Sequence, residues 1–185
     1  MKGESWGRYP KPKEQVIENF SDNLFSSKEL STKSFLSYGM GRSYGDSCLN
    51  EGGVLVSTSS NDRFLSFDSE SGVLEAQAGL SLKDLISFVL PRGWFIPVSP
   101  GTQYVSLGGA VANDIHGKNH HCGGTFGNHV LSFYLLRSDG ELLRCSPKEN
   151  SNLFNATIGG LGLTCLLYTS PSPRDATLSR MPSSA

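Results

Sequence analysis

Residues 100–130 read PGTQYVSLGGAVANDIHGKNHHCGGTFGNHV, with glycine as Gly101, Gly108, Gly109, Gly117, Gly123, Gly124 and Gly127. Within it Gly108-Gly109-Ala110-Val111-Ala112, led in by Ser106 and Leu107, predicts a helix start almost free of side-chain bulk. Such a start lets a flat ligand, or its pyrophosphate, lie against bare backbone and the positive end of the helix. A glycine-rich packing segment or flexible linker is the competing reading, but apolar residues are interleaved throughout, which a linker does not need.

A second glycine-punctuated stretch lies upstream, Ser37-Tyr38-Gly39-Met40-Gly41-Arg42-Ser43-Tyr44-Gly45-Asp46-Ser47, spaced G-x-G-x-x-x-G. Glycines so placed let successive backbone N–H groups turn inward as a nest that an anion can approach with no Cβ in the way, and Arg42 adds a cation. The spacing is not the G-x-G-x-x-G of a nicotinamide-binding fold, and no Lys-Ser/Thr pair closes a nucleoside-triphosphate loop. Taken alone, the pattern serves a plain tight turn equally well.

His116, His120, His121 and His129 share the first region, and His116-x-x-x-His120 has the i, i+4 spacing of a helical metal pair. Gly117 and the Gly123-Gly124 pair argue against one continuous helix, and the Glu base of a zinc hydrolase motif is missing. Hydrogen-bonding or cofactor-contacting histidines are expected, and no metal.

Composition narrows the function classes. The 185 residues carry 16 Lys+Arg against 17 Asp+Glu, a formal net charge of −1, which argues against a general nucleic-acid or membrane-surface binder. No apolar run approaches the roughly 20 residues needed to span a bilayer. The first residues, MKGESWGRYPKPKEQ, have no apolar signal core, so a cytoplasmic location is the expectation. Cys48, Cys122, Cys145 and Cys165 form no C-x-x-C pair and read as reduced structural thiols.

Val16, Phe20 and Leu24 recur every four residues and predict a helix over Lys13–Ser26. Ser34–Tyr38 and GVLVST from Gly53 read as strands either side of the first glycine loop. RFLSFD from Arg63 and GVLEAQAG from Gly72 predict an antiparallel pair about Ser69–Ser71. Ser81 and Asp84 form a capping box before Leu82, Leu85, Ile86 and Val89, with Pro91 and Gly93 ending that helix. WFIPV from Trp94 is a strand, and HVLSFYLLRSDGELLRC from His129 a hairpin about Ser138-Asp139-Gly140. From Leu166 onward, prolines and serines without an apolar face predict no core element. That stretch has the look of translated adaptor sequence, so residues 165–185 are expected to be a disordered, non-native tail, the natural chain continuing past Thr164.

GRSYGD at Gly41, PVSPGT at Pro97, GGAVANDIHGKNHH at Gly108 and GTFGNHV at Gly124 resemble the FAD-binding domain of the vanillyl-alcohol-oxidase superfamily, the PCMH-type FAD domain. Within it the strings resemble most the decaprenylphosphoryl-ribose oxidases and, more distantly, the aldonolactone oxidases. The resemblance covers about Trp6 to Thr164. It implies an α+β fold of two α/β subdomains, residues 1–57 and 58–164, cut off before a substrate domain.

Carried over position by position, the resemblance implies that Ser37 to Ser47 bind the pyrophosphate and adenine side of FAD. Gly101, Thr102, Ser106, Leu107, Gly108 and Gly109, together with Asn113, Asp114, Ile115 and His116, would wrap pyrophosphate and flavin. Tyr44, His116 and Lys118 match residues lining the flavin and substrate side and are the candidate catalytic residues. Aldonolactone oxidases bond a first-loop histidine to the flavin; Arg42 stands there, which implies non-covalent FAD. The implied activity is oxidation of a secondary hydroxyl of a small-molecule or lipid-linked sugar. An aldonolactone oxidase or dehydrogenase, or a catalytically incomplete FAD-binding fragment, is the alternative.

Overall fold

The structure, a computed structural model, describes residues 3–12, 16–19, 34–168, 176–177 and 179–180. Three parallel strands open it: β1 (Val16–Asn19), β2 (Phe35–Tyr38) and β3 (Val54–Ser57), in the order β1-β3-β2. The continuous apolar run Val54-Leu55-Val56 belongs in the centre, where both faces are covered, and every residue of β3 is buried. Val54 pairs with Val16 on one side and Phe35 on the other.

The strand β1 corrects the helix expected over Lys13–Ser26. Its described residues, Val16–Asn19, are extended; Lys13–Gln15 and Phe20–Ser26 lie outside the described residues. An i, i+4 apolar spacing records only local preference, and pairing with β3 is a contact from nearly forty residues away.

The antiparallel pair β4 (Phe64–Phe67) and β5 (Val73–Ala76) forms as the alternation predicts. Its turn is closed by Asp68, whose carboxylate accepts the Glu70 N–H at 2.9 Å and the Ser71 hydroxyl at 2.6 Å. Helix α1 (Leu82–Val89) starts at the expected pair, with Ser81 as N-cap: its Oγ accepts the Asp84 N–H at 3.0 Å and donates to the Asp84 carboxylate at 2.5 Å. Leu82, Leu85 and Val89 form its buried stripe, and a 3-10 turn at Leu90–Arg92 ends it at Gly93, whose φ is +80°. After β6 (Trp94–Phe95) come α2 (Leu107–Ala112), α3 (His120–Gly123) and a 3-10 turn at Phe126–His129.

The hairpin β7 (Phe133–Leu136) and β8 (Leu142–Cys145) turns at Gly140, φ +86°, and α4 (Ser151–Thr157) stacks Phe154 on Phe133 with ring centres 5.2 Å apart. β9 (Leu166–Tyr168) pairs antiparallel with β7, while β10 (Ala176–Thr177) and β11 (Ser179–Arg180) pair with β5 and β6. The described strand β9 places a core element at Leu166, where the composition predicts none; residues 169–175, 178 and 181–185 lie outside the described residues. Leu166 is 2% exposed and packs on Val54 and Val56, joining the parallel sheet to the β7–β8 hairpin. A strand added to an existing edge needs no periodic apolar face of its own. Among the described residues no helix is long and apolar enough to cross a membrane.

Candidate functional site

A cleft of about 570 Å³ opens where four segments meet: the loop after β2, the turn Pro100–Thr102, α2 with the chain leaving it, and the loop after α4. Its walls are largely backbone and small side chains, with Gly39, Gly41, Gly101, Gly108 and Gly109 among them. Ser37, Ser47, Thr58, Thr102 and Ser106 are among its lining residues.

The loop after β2 is held open from outside. Tyr38 is buried, donating its hydroxyl to the Glu4 carbonyl at 2.8 Å and accepting the Glu4 N–H at 3.1 Å. Burial pushes the Tyr38 phenol above its ordinary range. Gly41 then takes φ +63°, and a Cβ there would overlap the Glu4 carbonyl and the Tyr38 hydroxyl, so only glycine fits. Among the described residues, the N–H groups of Gly39, Met40, Gly41 and Arg42 donate to no protein acceptor. Four unspent donors in succession on a cleft wall are what an oxyanion requires.

The start of α2 differs from the reading that an anion sits on its N-terminus. Leu107 N–H donates to the Leu80 carbonyl at 2.8 Å, Gly108 N–H to the Ala78 carbonyl at 2.7 Å and Gly109 N–H to Ser106 Oγ at 3.2 Å. All three amides are spent on the fold. A Cβ on Gly108 would stand 2.9 Å from that of Ala78, so Gly108 is small in order to let α2 pack on the chain leaving β5. Gly109 faces the cleft, where α2 offers a flat surface rather than donors.

Of the residues singled out in sequence, Ser37, Gly39 to Tyr44, Ser47, Gly101, Thr102, Ser106, Gly108, Gly109, Asn113, Ile115 and His116 line the cleft. Tyr38, Gly45, Asp46, Leu107, Asp114 and Lys118 do not. Leu107 is buried in the core, and Asp114 accepts the Gly127 N–H at 2.8 Å. Lys118 is exposed, two residues beyond His116 and past a buried Gly117 whose Cβ position is filled by Ser99. Tyr44 stands 78% exposed at the rim.

Sequence reasoning missed two walls. One is the N-terminal segment, through Trp6. The other is Thr157 at the end of α4 and the loop after it, Ile158-Gly159-Gly160-Leu161-Gly162-Leu163-Thr164-Cys165, whose three glycines were a usable signal. Gly159 and Leu161 donate to the Val111 and Ala112 carbonyls at 3.1 and 2.8 Å, satisfying the end of α2. Leu161 takes φ +53°, a left-handed conformation costly for a branched residue, on the cleft wall itself. Cys48 also lines the cleft, and burial pushes its thiol up.

A cleft with an unspent amide run on one wall and many glycines in its lining suits a phosphate-bearing dinucleotide. The sequence profile of the FAD binding domain family matches residues 30–146, and the chain belongs to that family. It is 47% identical over 130 residues to decaprenylphosphoryl-beta-D-ribose oxidase of Mycolicibacterium smegmatis, covering 70% of this chain and 28% of that protein. A Neurospora crassa chain carrying a D-arabinono-1,4-lactone oxidase name is 29% identical over 109 residues, 58% of this chain and 19% of the other. The rat Delta(24)-sterol reductase is 27% identical over 92 residues, 50% of this chain and 18% of the reductase. The matched stretches thus make up under a third of each of these relatives.

Proposed function

We propose that the chain is the FAD-binding part of an oxidoreductase that removes a hydride from a secondary hydroxyl-bearing carbon of a sugar or sugar derivative, and that it holds FAD without a covalent bond. The amide run Gly39–Arg42 on the wall of the cleft carries this reading. When bound, FAD supplies a flavin ring able to accept the hydride. The chain's part is to bind and to orient. The Gly39–Arg42 amides and the Arg42 guanidinium take phosphate oxygens; Gly109 and Ala112 offer a flat wall; His116 and Tyr44 stand at the rim beside the reacting end. A planar guanidinium delocalises its nitrogen lone pairs and presents only N–H donors, so it offers no nucleophile to a flavin carbon, unlike an imidazole nitrogen in its place. The 47% identity to an enzyme named for decaprenylphosphoryl-ribose favours a lipid-linked sugar over an aldonolactone, where identity is 29%.

The test is to purify the protein with FAD, precipitate it with acid and measure flavin in both fractions. Stoichiometric flavin in the supernatant is expected. Flavin staying in the pellet would overturn the non-covalent reading, and no uptake of FAD would overturn the whole. Anaerobic addition of a phosphorylated ribose derivative or an aldonolactone to the flavin-loaded protein then separates the two substrate classes by which bleaches the flavin.

A further inference from the structure

The N-terminal segment Gly3–Arg8 packs on the glycine loop by specific contacts. Glu4 exchanges two hydrogen bonds with the Tyr38 hydroxyl, and Trp6 N–H donates to the Ser43 carbonyl at 3.0 Å. Ser5 is buried, its hydroxyl donating to the Tyr9 carbonyl at 3.3 Å. Gly41 leaves out the Cβ that would push Glu4 away. The segment is therefore seated in the loop, and it brings the Trp6 ring, 54% exposed, to the cleft wall with the Arg42 guanidinium carbon 5.7 Å from its centre.

Arg42 is an exposed cation on that wall, with no carboxylate at ion-pair distance among the described residues. Its Nη1 donates to the Met40 carbonyl at 2.6 Å, leaving the other guanidinium N–H groups unspent. Glu4, the nearest acid in sequence on the segment, faces Arg8 at 3.7 Å instead. Both partners of Arg42, an indole face and a carbonyl oxygen, are uncharged. They orient the guanidinium while leaving its charge available, where a carboxylate would cancel it. Ordering a long arginine side chain costs rotamer freedom, so prior placement favours whatever anion it meets.

We propose that Trp6 is a positioning residue that holds the Arg42 guanidinium in the cleft to take a phosphate group of the bound ligand. This rests on the FAD reading above and extends it to a residue outside the glycine loops. The phosphate belongs either to FAD or to a phosphorylated sugar docking beside it.

The test titrates the purified protein, Trp6→Leu, Trp6→Phe, Arg42→Gln and the Trp6→Leu/Arg42→Gln double variant with FAD and with riboflavin, which has no phosphate. Ribose 5-phosphate is then added to the FAD-loaded forms and the flavin spectrum followed. Arg42→Gln is expected to weaken FAD on the order of tenfold and leave riboflavin unchanged. Trp6→Leu should weaken FAD about two- to fivefold, with Trp6→Phe restoring most of it. The double variant should bind no worse than Arg42→Gln alone, because Trp6 acts through Arg42. Added salt should weaken the parent more than Arg42→Gln. The same pattern seen with ribose 5-phosphate and not with FAD assigns the phosphate to the sugar and keeps the proposal. Should Trp6→Leu not fold, Trp6→Phe with and without Arg42→Gln supplies the coupling. Failure of the parent protein to bind FAD sinks the FAD reading itself. A parent that binds FAD, with Arg42→Gln harmless to both phosphate ligands, or with Trp6 and Arg42 effects that simply add, overturns this inference alone.

Discussion

The Asp114 carboxylate accepts the Gly127 N–H at 2.8 Å across thirteen residues of chain, closing the segment that carries His116 into a loop. Asp114 itself takes φ +42°, a turn that aspartate tolerates better than most residues. The bond from Phe126 N–H to the Ile115 carbonyl at 2.9 Å lies inside the same closure, and that from Ile115 N–H to the Ala110 carbonyl at 3.1 Å ties it back to α2. Asp114 therefore serves the cleft by clasping its frame.

Asp114→Ala removes the acceptor and leaves the Gly127 amide unpaired, an expected loss of about 1–3 kcal/mol of stability. Asp114→Asn keeps a carbonyl oxygen in place and should fall within about 1 kcal/mol of the parent. Thermal unfolding of the two variants checks the pair. Equal losses would show that the charge, and not the acceptor, matters to the fold.

Gly108 and Gly109 are neighbours with separate duties, and substitution should separate them. Gly108→Ala drives a methyl against Ala78 and is expected to cost about 1–3 kcal/mol through overpacking. Gly109→Val meets chiefly the Ser106 hydroxyl and then the cleft, so it should lower FAD affinity more than it lowers the melting temperature. Flavin titration beside thermal unfolding for both variants decides the matter. A Gly109→Val protein with unaltered flavin affinity would show that the ligand lies elsewhere in the cleft.

Both glycine stretches were legible because their chemistry is local: Gly41 needs φ +63° and Gly108 a bare Cα, and each need is written in the residue itself. So were the N-cap at Ser81 and the turn at Asp68, where a side chain bonds its own neighbourhood, and the turn at Gly140, where φ is +86°. The start of α2 was misread since its amides are spent on Ala78 and Leu80, partners that no spacing rule near residue 108 reveals. The strand at Val16, the strand at Leu166 and the Trp6 wall share that cause. Each is fixed by a distant partner, Val54, Leu136 and Ser43 respectively.

The thiols give a pH dependence with a definite sign. Burial pushes Cys48, Cys145 and Cys165 above the ordinary thiol value of 9.0, and Tyr38 above 10.0. The folded chain therefore holds these protons more tightly than the unfolded one. Their contribution to stability is whole below the ordinary values and is lost as pH rises through the folded ones. Denaturant midpoints are expected to hold level near neutrality and to fall above about pH 9. At neutral pH the exposed Cys122 should be alkylated well before the buried Cys48 and Cys145, with bound FAD slowing Cys48 further. Mass-spectrometric mapping after a short alkylator pulse reads the order, and early labelling of Cys48 would contradict its burial.

His116 reaches the cleft because Gly117 turns the chain away immediately after it. A Cβ on Gly117 would sit 2.7 Å from the Ser99 carbonyl, so the backbone is wedged there and α3 begins anew at His120. The His116 and His120 rings meet edge to face with centres 5.9 Å apart. His120 Nδ1 lies 3.3 Å from the Gly117 carbonyl and His129 Nε2 2.8 Å from the Gly123 carbonyl, so each of these nitrogens carries a hydrogen and donates to the backbone. His116→Ala is accordingly expected to weaken FAD binding severalfold, or, in a turnover assay, to slow flavin reduction on the order of 10²-fold if the ring contacts the transition state. Chelator should change neither the parent nor the variant. Flavin titration with metal analysis of the same preparations checks this, and stoichiometric zinc that disappears with His116→Ala would return the histidines to a metal site.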